Sequence, residues 1–211
     1  MRLVKYANRR RFVFFFLALI QNEKLLLFSF RVSGHYENFK KSQICENRNM
    51  EELVESWHIE NLLARYAHAG DEYDAEAWVG CFSNKGIFEV HTGNVRMQFI
   101  GEKALSKFIN AHIRLLPGTR HVQTNHITTV DKLRAKNHCT LVGFLSRPEK
   151  IYTFIAGSYE TDLEKIGGEW KITHRIVHVD NGASFVEGDI AEQTQPFMEW
   201  MATNSEVMQG E

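Results

Sequence analysis

The chain is poor in cysteine, with Cys45, Cys81 and Cys139 as its only thiols, and no two of them form a CxxC pair. That odd, scattered set excludes a disulfide framework and a zinc-ribbon site and fits a reducing, cytoplasmic compartment, each thiol read as a small apolar residue. Three prolines in 211 residues exclude a collagen-like chain, and the composition as a whole excludes coiled coil and bulk disorder. No GxGxxG or GxxxxGK[ST] loop is present, so no nucleotide or other cofactor is expected. Net charge is small, −1, but unevenly spread: residues 1–49 carry ten basic and three acidic residues, leaving 15 and 23 in residues 50–211. An acidic body without a basic stripe offers no footprint for phosphate backbones, which argues against nucleic acid as a partner.

Long apolar runs are also missing. Phe12–Ile20, after Arg9-Arg10-Arg11, resembles the start of a secretory signal, yet at nine residues it is too short to span a bilayer as a helix. No small-x-small cleavage site follows it. Leu25–Phe30 repeats the pattern without an amphipathic period. Residues 1–49 are therefore expected to lie outside the working fold, with Met50 an alternative start; an export or membrane anchor is the competing reading.

From residue 50 the pattern becomes that of a folded domain. Leu53, Trp57, Leu62, Leu63, Tyr66 and Ala67 recur at helical spacing behind the acidic start Glu51-Glu52, predicting a helix over about 50–69 with Gly70 as its stop. Asp74 is placed to cap a short second helix with the stripe Ala75, Trp78, Val79 and Phe82. Ile87–His91 and Val95–Ile100 read as a hairpin, and Glu102–Leu115 as a third helix with Leu105, Phe108, Ile109 and either His112 or Ile113 inward. Four long strands follow, 121–130, 136–146, 152–163 and 170–179, the last two joined through Gly167-Gly168. The expectation is an α+β fold, three N-terminal helices packed on a strongly curved, mostly antiparallel sheet, enclosing an apolar cone suited to a ligand. The domain is expected over 50–182. The tail 183–211, with Phe185, Pro196, Phe197, Met198, Trp200 and Met201, is either a lid, with a short helix over 191–202, or a dimer contact.

Strand parity places His121 and His126 on opposite faces, and His174 and His178 about 13 Å apart on one face, so neither pair is expected to chelate a metal. By the same parity Gln123 and Asn125 share the face of His121. Either Arg175 or the pair His174 and His178 faces inward on the last strand, Arg175 being the candidate clamp for an anion or carbonyl.

Leu62-Leu63-Ala64-Arg65-Tyr66-Ala67-His68-Ala69-Gly70-Asp71, then Trp78, Phe82, Gly101 and Phe108, then Arg120-His121-Val122-Gln123-Thr124-Asn125-His126, and finally Gly168-Glu169-Trp170-Lys171-Ile172-Thr173-His174-Arg175 together resemble the SnoaL-like branch of the nuclear transport factor 2-like superfamily, over about 50–182. Its members include polyketide cyclases, scytalone dehydratase, a bile-acid dehydratase, a dehydrochlorinase, ketosteroid isomerase and small subunits of ring-hydroxylating dioxygenases. Fold alone does not select among them. The resemblance implies that Asp71 and His121 stand where the dehydratases and dehydrochlorinase carry their aspartate–histidine pair, and Tyr66 where the bile-acid dehydratase carries a functional tyrosine. A carboxylate that fixes one imidazole nitrogen leaves the other free as a base, and a phenol beside it can polarise a carbonyl or protonate a departing hydroxyl. Phe88 and Val90 stand where dehydratases place a second tyrosine. Trp78, Phe88, Val90, Gln123, Asn125 and Arg175 are the candidate substrate-binding residues.

The implied activity is cofactor-independent dehydration or isomerisation of a small, apolar, cyclic molecule by a homodimer or other homo-oligomer. A non-catalytic binding or assembly module, such as an oxygenase small subunit, is the rival.

Overall fold

A computed structural model of the chain describes residues 16–21, 24–29, 50–180 and 189–209, and the chain divides into two units, Met1–Arg48 and Asn49–Glu211. In the first unit β1 (Phe16–Gln21) and β2 (Lys24–Ser29) pair antiparallel, from Phe16 opposite Ser29 to Gln21 opposite Lys24. The Arg9–Arg11 start of the signal-like segment, Cys45 and Phe185 lie outside the described residues. Among the described residues no helix is long and apolar enough to cross a membrane.

In the second unit α1 (Met50–Asp71) carries its buried stripe on Ile59, Leu62, Leu63, Tyr66, Ala69 and Gly70, and ends two residues later than the sequence pattern suggests. The expected stripe reaches too far back: Leu53 and Trp57 are exposed. That first half is fastened by polar contacts instead, Glu55 accepting from Lys165 Nζ and from Trp170 Nε1, both at 2.6 Å. Asp74 caps α2 (Ala75–Gly80), its side chain accepting from the Ala77 amide at 2.9 Å. Phe82 is not on this helix. The Cys81 amide turns back to the Trp78 carbonyl, and Phe82 opens β3 (Phe82–Thr92), where it is buried from an extended backbone.

β4 (Val95–Ile100) pairs antiparallel with β3, and α3 (Gly101–Leu115) buries Leu105, Phe108, Ile109, Ala111 and His112, so His112 rather than Ile113 takes the fully inward position. β5 (Thr119–Asp131), β6 (Arg134–Arg147), β7 (Lys150–Ile166) and β8 (Glu169–Val179) form an antiparallel meander. Its last strand lies parallel to β3, giving the sheet order β5-β6-β7-β8-β3-β4-β9. The edge strand β9 (Glu206–Gln209) follows α4 (Asp189–Asn204), a helix longer than the 191–202 expected and carrying Pro196 within it.

The sheet is mixed but mostly antiparallel and curved, as expected. Two irregularities bear on the site. Near Gly143 the register slips so that Gly143 faces Ile155 while Phe144 faces Thr153, leaving Phe154 as the extra residue. A Cβ at Gly143 would lie 2.2 Å from Ile155 Cγ2 and 2.7 Å from Phe154 Cε1, so the close approach requires glycine. The other bulge, between Thr124 and Ile127, puts Asn125 at φ 57° and shifts strand parity by one. His126 therefore returns to the inner face, within 3.4 Å of Asn137, rather than opposing His121 across the sheet. Five residues of strand still separate the two rings, and among the described residues no cluster of three metal-ligating side chains exists.

Candidate functional site

Helices and sheet enclose a cavity of about 400 Å³. Its walls are mainly apolar, with Trp78, Phe88, Phe108, Phe154 and Phe197 as aromatic contributors. Trp78 packs on Phe82, Phe88 and Phe108 at ring separations of 4.9–5.8 Å, so this side of the cavity is one interlocked aromatic cluster. Val90 lines it as well, and α4 supplies Thr194, Gln195, Phe197, Met198 and Met201.

The polar group of greatest chemical consequence joins the end of α1 to the start of β5. Asp71, the last residue of α1, is buried, and its Oδ2 accepts from the His121 amide at 2.9 Å while its Oδ1 lies 2.7 Å from His121 Nδ1. A carboxylate can only accept, so Nδ1 carries a proton, and in the neutral ring Nε2 is the nitrogen with the lone pair. Two further bonds hold the junction: Arg120 Nη1 donates to the Asp71 carbonyl at 3.1 Å, and the Gly118 amide to the Tyr73 hydroxyl at 2.8 Å. The His121 ring borders the cavity and is half-buried, packed edge-on to Phe154.

His112 stands beside it, ring centres 5.8 Å apart. The sequence marks this residue as inward but gives it no chemistry. Its ring is buried among Phe108, Phe197 and the cavity, and among the described residues Nδ1 has no hydrogen-bond partner. Burial, reinforced by the neighbouring His121 and opposed by Asp71, pushes its pKa from 6.5 down to about 3, so it is a neutral imidazole at ordinary pH.

Tyr66 borders the same cavity from α1, and Tyr159 from β7. Burial drives the Tyr66 phenol well above its ordinary 10; the neighbouring Tyr159 adds to this, and Arg175 works against it. Tyr159 is also raised by burial and lowered by Arg175.

Of the residues expected to bind substrate, Trp78, Phe88 and Val90 line the cavity, whereas Gln123, Asn125 and Arg175 do not. Gln123 is turned to the α1–β5 seam, donating to the Leu63 carbonyl at 3.2 Å and accepting from Arg175 Nη2. Asn125 is displaced by its own bulge into an exposed position, its amide 3.4 Å from Thr140 Oγ1. Arg175 does face inward, which settles the orientation of β8, but it is wholly buried behind Tyr66 and Tyr159. His174 and His178 lie on the opposite face, where His174 Nε2 and His91 Nε2 meet the Glu89 carboxylate at 2.9 and 2.6 Å.

A family model described as a SnoaL-like domain matches residues 51–176. Solved structures of NTF2-like and cystatin-like fold also match. A protein of unknown function from Mycobacterium tuberculosis is 25% identical with a TM-score of 0.68, over 78% of this chain and 97% of that one. Two proteins from Novosphingobium aromaticivorans share the fold. A candidate scytalone dehydratase is 22% identical at TM-score 0.52, covering 60% and 85% of the two chains. The beta subunit of a candidate aromatic-ring-hydroxylating dioxygenase is 19% identical at TM-score 0.55, covering 61% and 90%. No curated protein matches this chain.

Proposed function

Since the chain belongs to the SnoaL-like domain family, we propose that it is a cofactor-independent lyase or isomerase acting on a small cyclic ketone or hydroxylated carbonyl compound. One observation carries the reading: Asp71 holds His121 Nδ1 at 2.7 Å while the rest of that ring borders an apolar cavity of about 400 Å³. An imidazole so fixed presents a bare Nε2 to a substrate, and its protonated form is stabilised by the carboxylate behind it.

In the dehydration, Nε2 of His121 removes a proton from the carbon next to the carbonyl. The electron pair left behind forms the new C=C bond, the C–O bond to the neighbouring hydroxyl breaks, and the imidazolium returns its proton to the departing oxygen as water. Tyr66 donates to the carbonyl oxygen as charge accumulates there, and neutral His112, with Nδ1 unpartnered, supplies a further polar contact. Isomerisation uses the same first step, with the proton returned to a different carbon.

Supporting a substrate that is flat and apolar are the aromatic walls, and supporting a closed site is α4, whose Phe197, Met198 and Met201 cover the cavity as a lid. The exposed Val122 and Ile127 on the outer face of β5 favour a homodimer, which sedimentation of the purified chain tests. Residues 1–49 stand outside this function.

The deciding experiment incubates the protein with a panel of β-hydroxy cyclic ketones and follows the absorbance of the conjugated enone. Turnover by the natural chain and its loss in Asp71→Asn and His121→Ala are expected. Saturable binding without turnover would instead assign the domain to ligand binding, and recovery bound to a larger iron-containing chain would assign it to an oxygenase subunit.

A further inference from the structure

The cavity is closed on one side by α4, and much of what holds that helix down is apolar. Phe197 lies against Phe108 and His112 at ring separations of 5.6 and 5.2 Å, and Trp200 stacks on Phe99 at 5.9 Å. Burial of this kind has no direction and permits a helix to slide or lift. Nearer its start α4 has a directional tie as well. Gln193 Oε1 accepts a hydrogen bond from Nε of Arg147, the last residue of β6.

The same guanidinium reaches the turn that opens β5. Its Nη1 donates to the Pro117 carbonyl at 2.8 Å and to the Ser146 carbonyl at 2.9 Å. Gly118, at φ 84°, is packed against it: a Cβ there would lie 2.8 Å from the Ser146 oxygen and 3.2 Å from Arg147 Nη1. The Ser146 amide donates back to the Gly118 carbonyl at 2.8 Å, and three residues beyond Gly118 stands His121. β5 ends the sheet order and has a strand partner on one side only, so the ties at its start bear on where His121 stands. A guanidinium is planar with N–H bonds at fixed angles, and bonds from a charged donor are the stronger kind. Arg147 thus sets α4, the end of β6 and the turn before β5 relative to one another.

We propose that Arg147 is a positioning residue of this site: it latches α4 over the cavity through Gln193 and, with the same guanidinium, holds the Pro117–Gly118 turn from which β5 carries His121. Closing the cavity and placing the base are then one event. This rests on the reading of the cavity as the reactive site, yet neither Arg147 nor Gln193 lines it. A ligand leaves when α4 lifts, which breaks the bond to Gln193 and loosens the guanidinium on the turn.

The test uses the full chain and 1-indanone, a flat bicyclic ketone with no hydroxyl to eliminate, whose release is followed by stopped-flow tryptophan fluorescence through Trp78 in the cavity wall. Gln193→Leu removes the acceptor on the helix and is expected to speed release about tenfold. Arg147→Gln should do the same, and the double variant should be no faster than either single one. Gln193→Glu offers Arg147 a carboxylate at the same place and should slow release below that of the natural protein. The link to His121 is read by amide hydrogen exchange. The His121 N–H, bonded to Asp71, should exchange faster in Gln193→Leu and return to its natural rate or below in Gln193→Glu. A purely local role for Arg147 would not let a side chain on α4 alter that amide. An unchanged release rate or an unchanged His121 exchange in Gln193→Leu overturns the inference, as does a Gln193→Glu variant that behaves like Gln193→Leu. If Arg147→Gln fails to fold, the two Gln193 variants still decide, and if 1-indanone does not bind, the exchange rates decide alone. Failure of the acid/base reading has a different signature. Latch-dependent release in a protein that turns over no ketone sinks the enzyme and keeps the latch, whereas Asp71-dependent turnover with release indifferent to Gln193 sinks the latch alone.

Discussion

Asp71 grips His121 twice, taking the backbone N–H on one carboxylate oxygen at 2.9 Å and the ring Nδ1–H on the other at 2.7 Å. The second bond sets the tautomer, and the first fixes where the backbone that carries the ring must run. Structure and chemistry are thus tied to one side chain.

Asp71→Asn should for that reason lower turnover by about 10²–10⁴-fold. The amide can still accept one of the two bonds but cannot stabilise an imidazolium. Asp71→Ala should in addition destabilise the fold by about 1–3 kcal/mol, since a partly buried amide loses its acceptor. Steady-state kinetics and urea unfolding, run on both variants, separate the two effects.

His112 makes stability depend on pH. An unfolded chain protonates this imidazole near its ordinary 6.5, the folded chain only at about 3. Between those values the unfolded state binds more protons, so stability falls as pH falls, by roughly 1.4 kcal/mol per pH unit from this one group. Replacing His112 by Phe should flatten the decline between about pH 6 and pH 4. An unchanged slope in urea titrations across that range would mean that the ring protonates in the folded state.

Glu89 acts on the other face of the sheet and titrates lower. Burial would raise its pKa, but hydrogen bonds from His91, Gln98 and His174 outweigh it and hold the carboxyl below its ordinary 4.5. Its contribution is complete above about pH 4.5 and disappears as pH falls through the lower folded value. Glu89→Gln should therefore lower the thermal midpoint at neutral pH and converge with the natural protein in strong acid.

Removing residues 1–49 should leave the melting temperature and ligand binding of 50–211 unchanged. Calorimetry of the two forms side by side tests this. A lower midpoint for the shorter chain would assign the N-terminal unit a part in the fold.

Much of the architecture was legible along the chain because its signals are local. Helical spacing in Leu62, Leu63 and Tyr66, the Asp74 cap and the Gly167-Gly168 hairpin each act within a few residues of themselves. Where two local signals competed, the pattern misled. Phe82 fits the stripe of α2 by spacing, yet the helix closes on Cys81 and hands Phe82 to a strand. Leu53 and Trp57 continue the stripe of α1 by spacing but lie exposed, and that half of the helix is fastened by Glu55.

Site residues divide the same way. Trp78, Phe88 and Val90 reach the cavity because their elements are regular and a simple period carries their side chains inward. Asn125 does not, because one extra residue in β5 reverses every parity argument beyond it. Tyr159 and His112 carried no sequence signal that separates them from core residues; what distinguishes them is which neighbours they meet.

By itself, then, the sequence determined the order and type of the main elements over residues 50–179, since propensity, capping and periodicity are properties of short segments, and its motifs carried the resemblance to the family. Only the tertiary structure decided that Asp71 and His121, fifty residues apart, share two hydrogen bonds, and that Arg175 packs against the rings of Tyr66 and Tyr159. Such relationships depend on bulges, register and burial across the whole sheet, which no local pattern encodes.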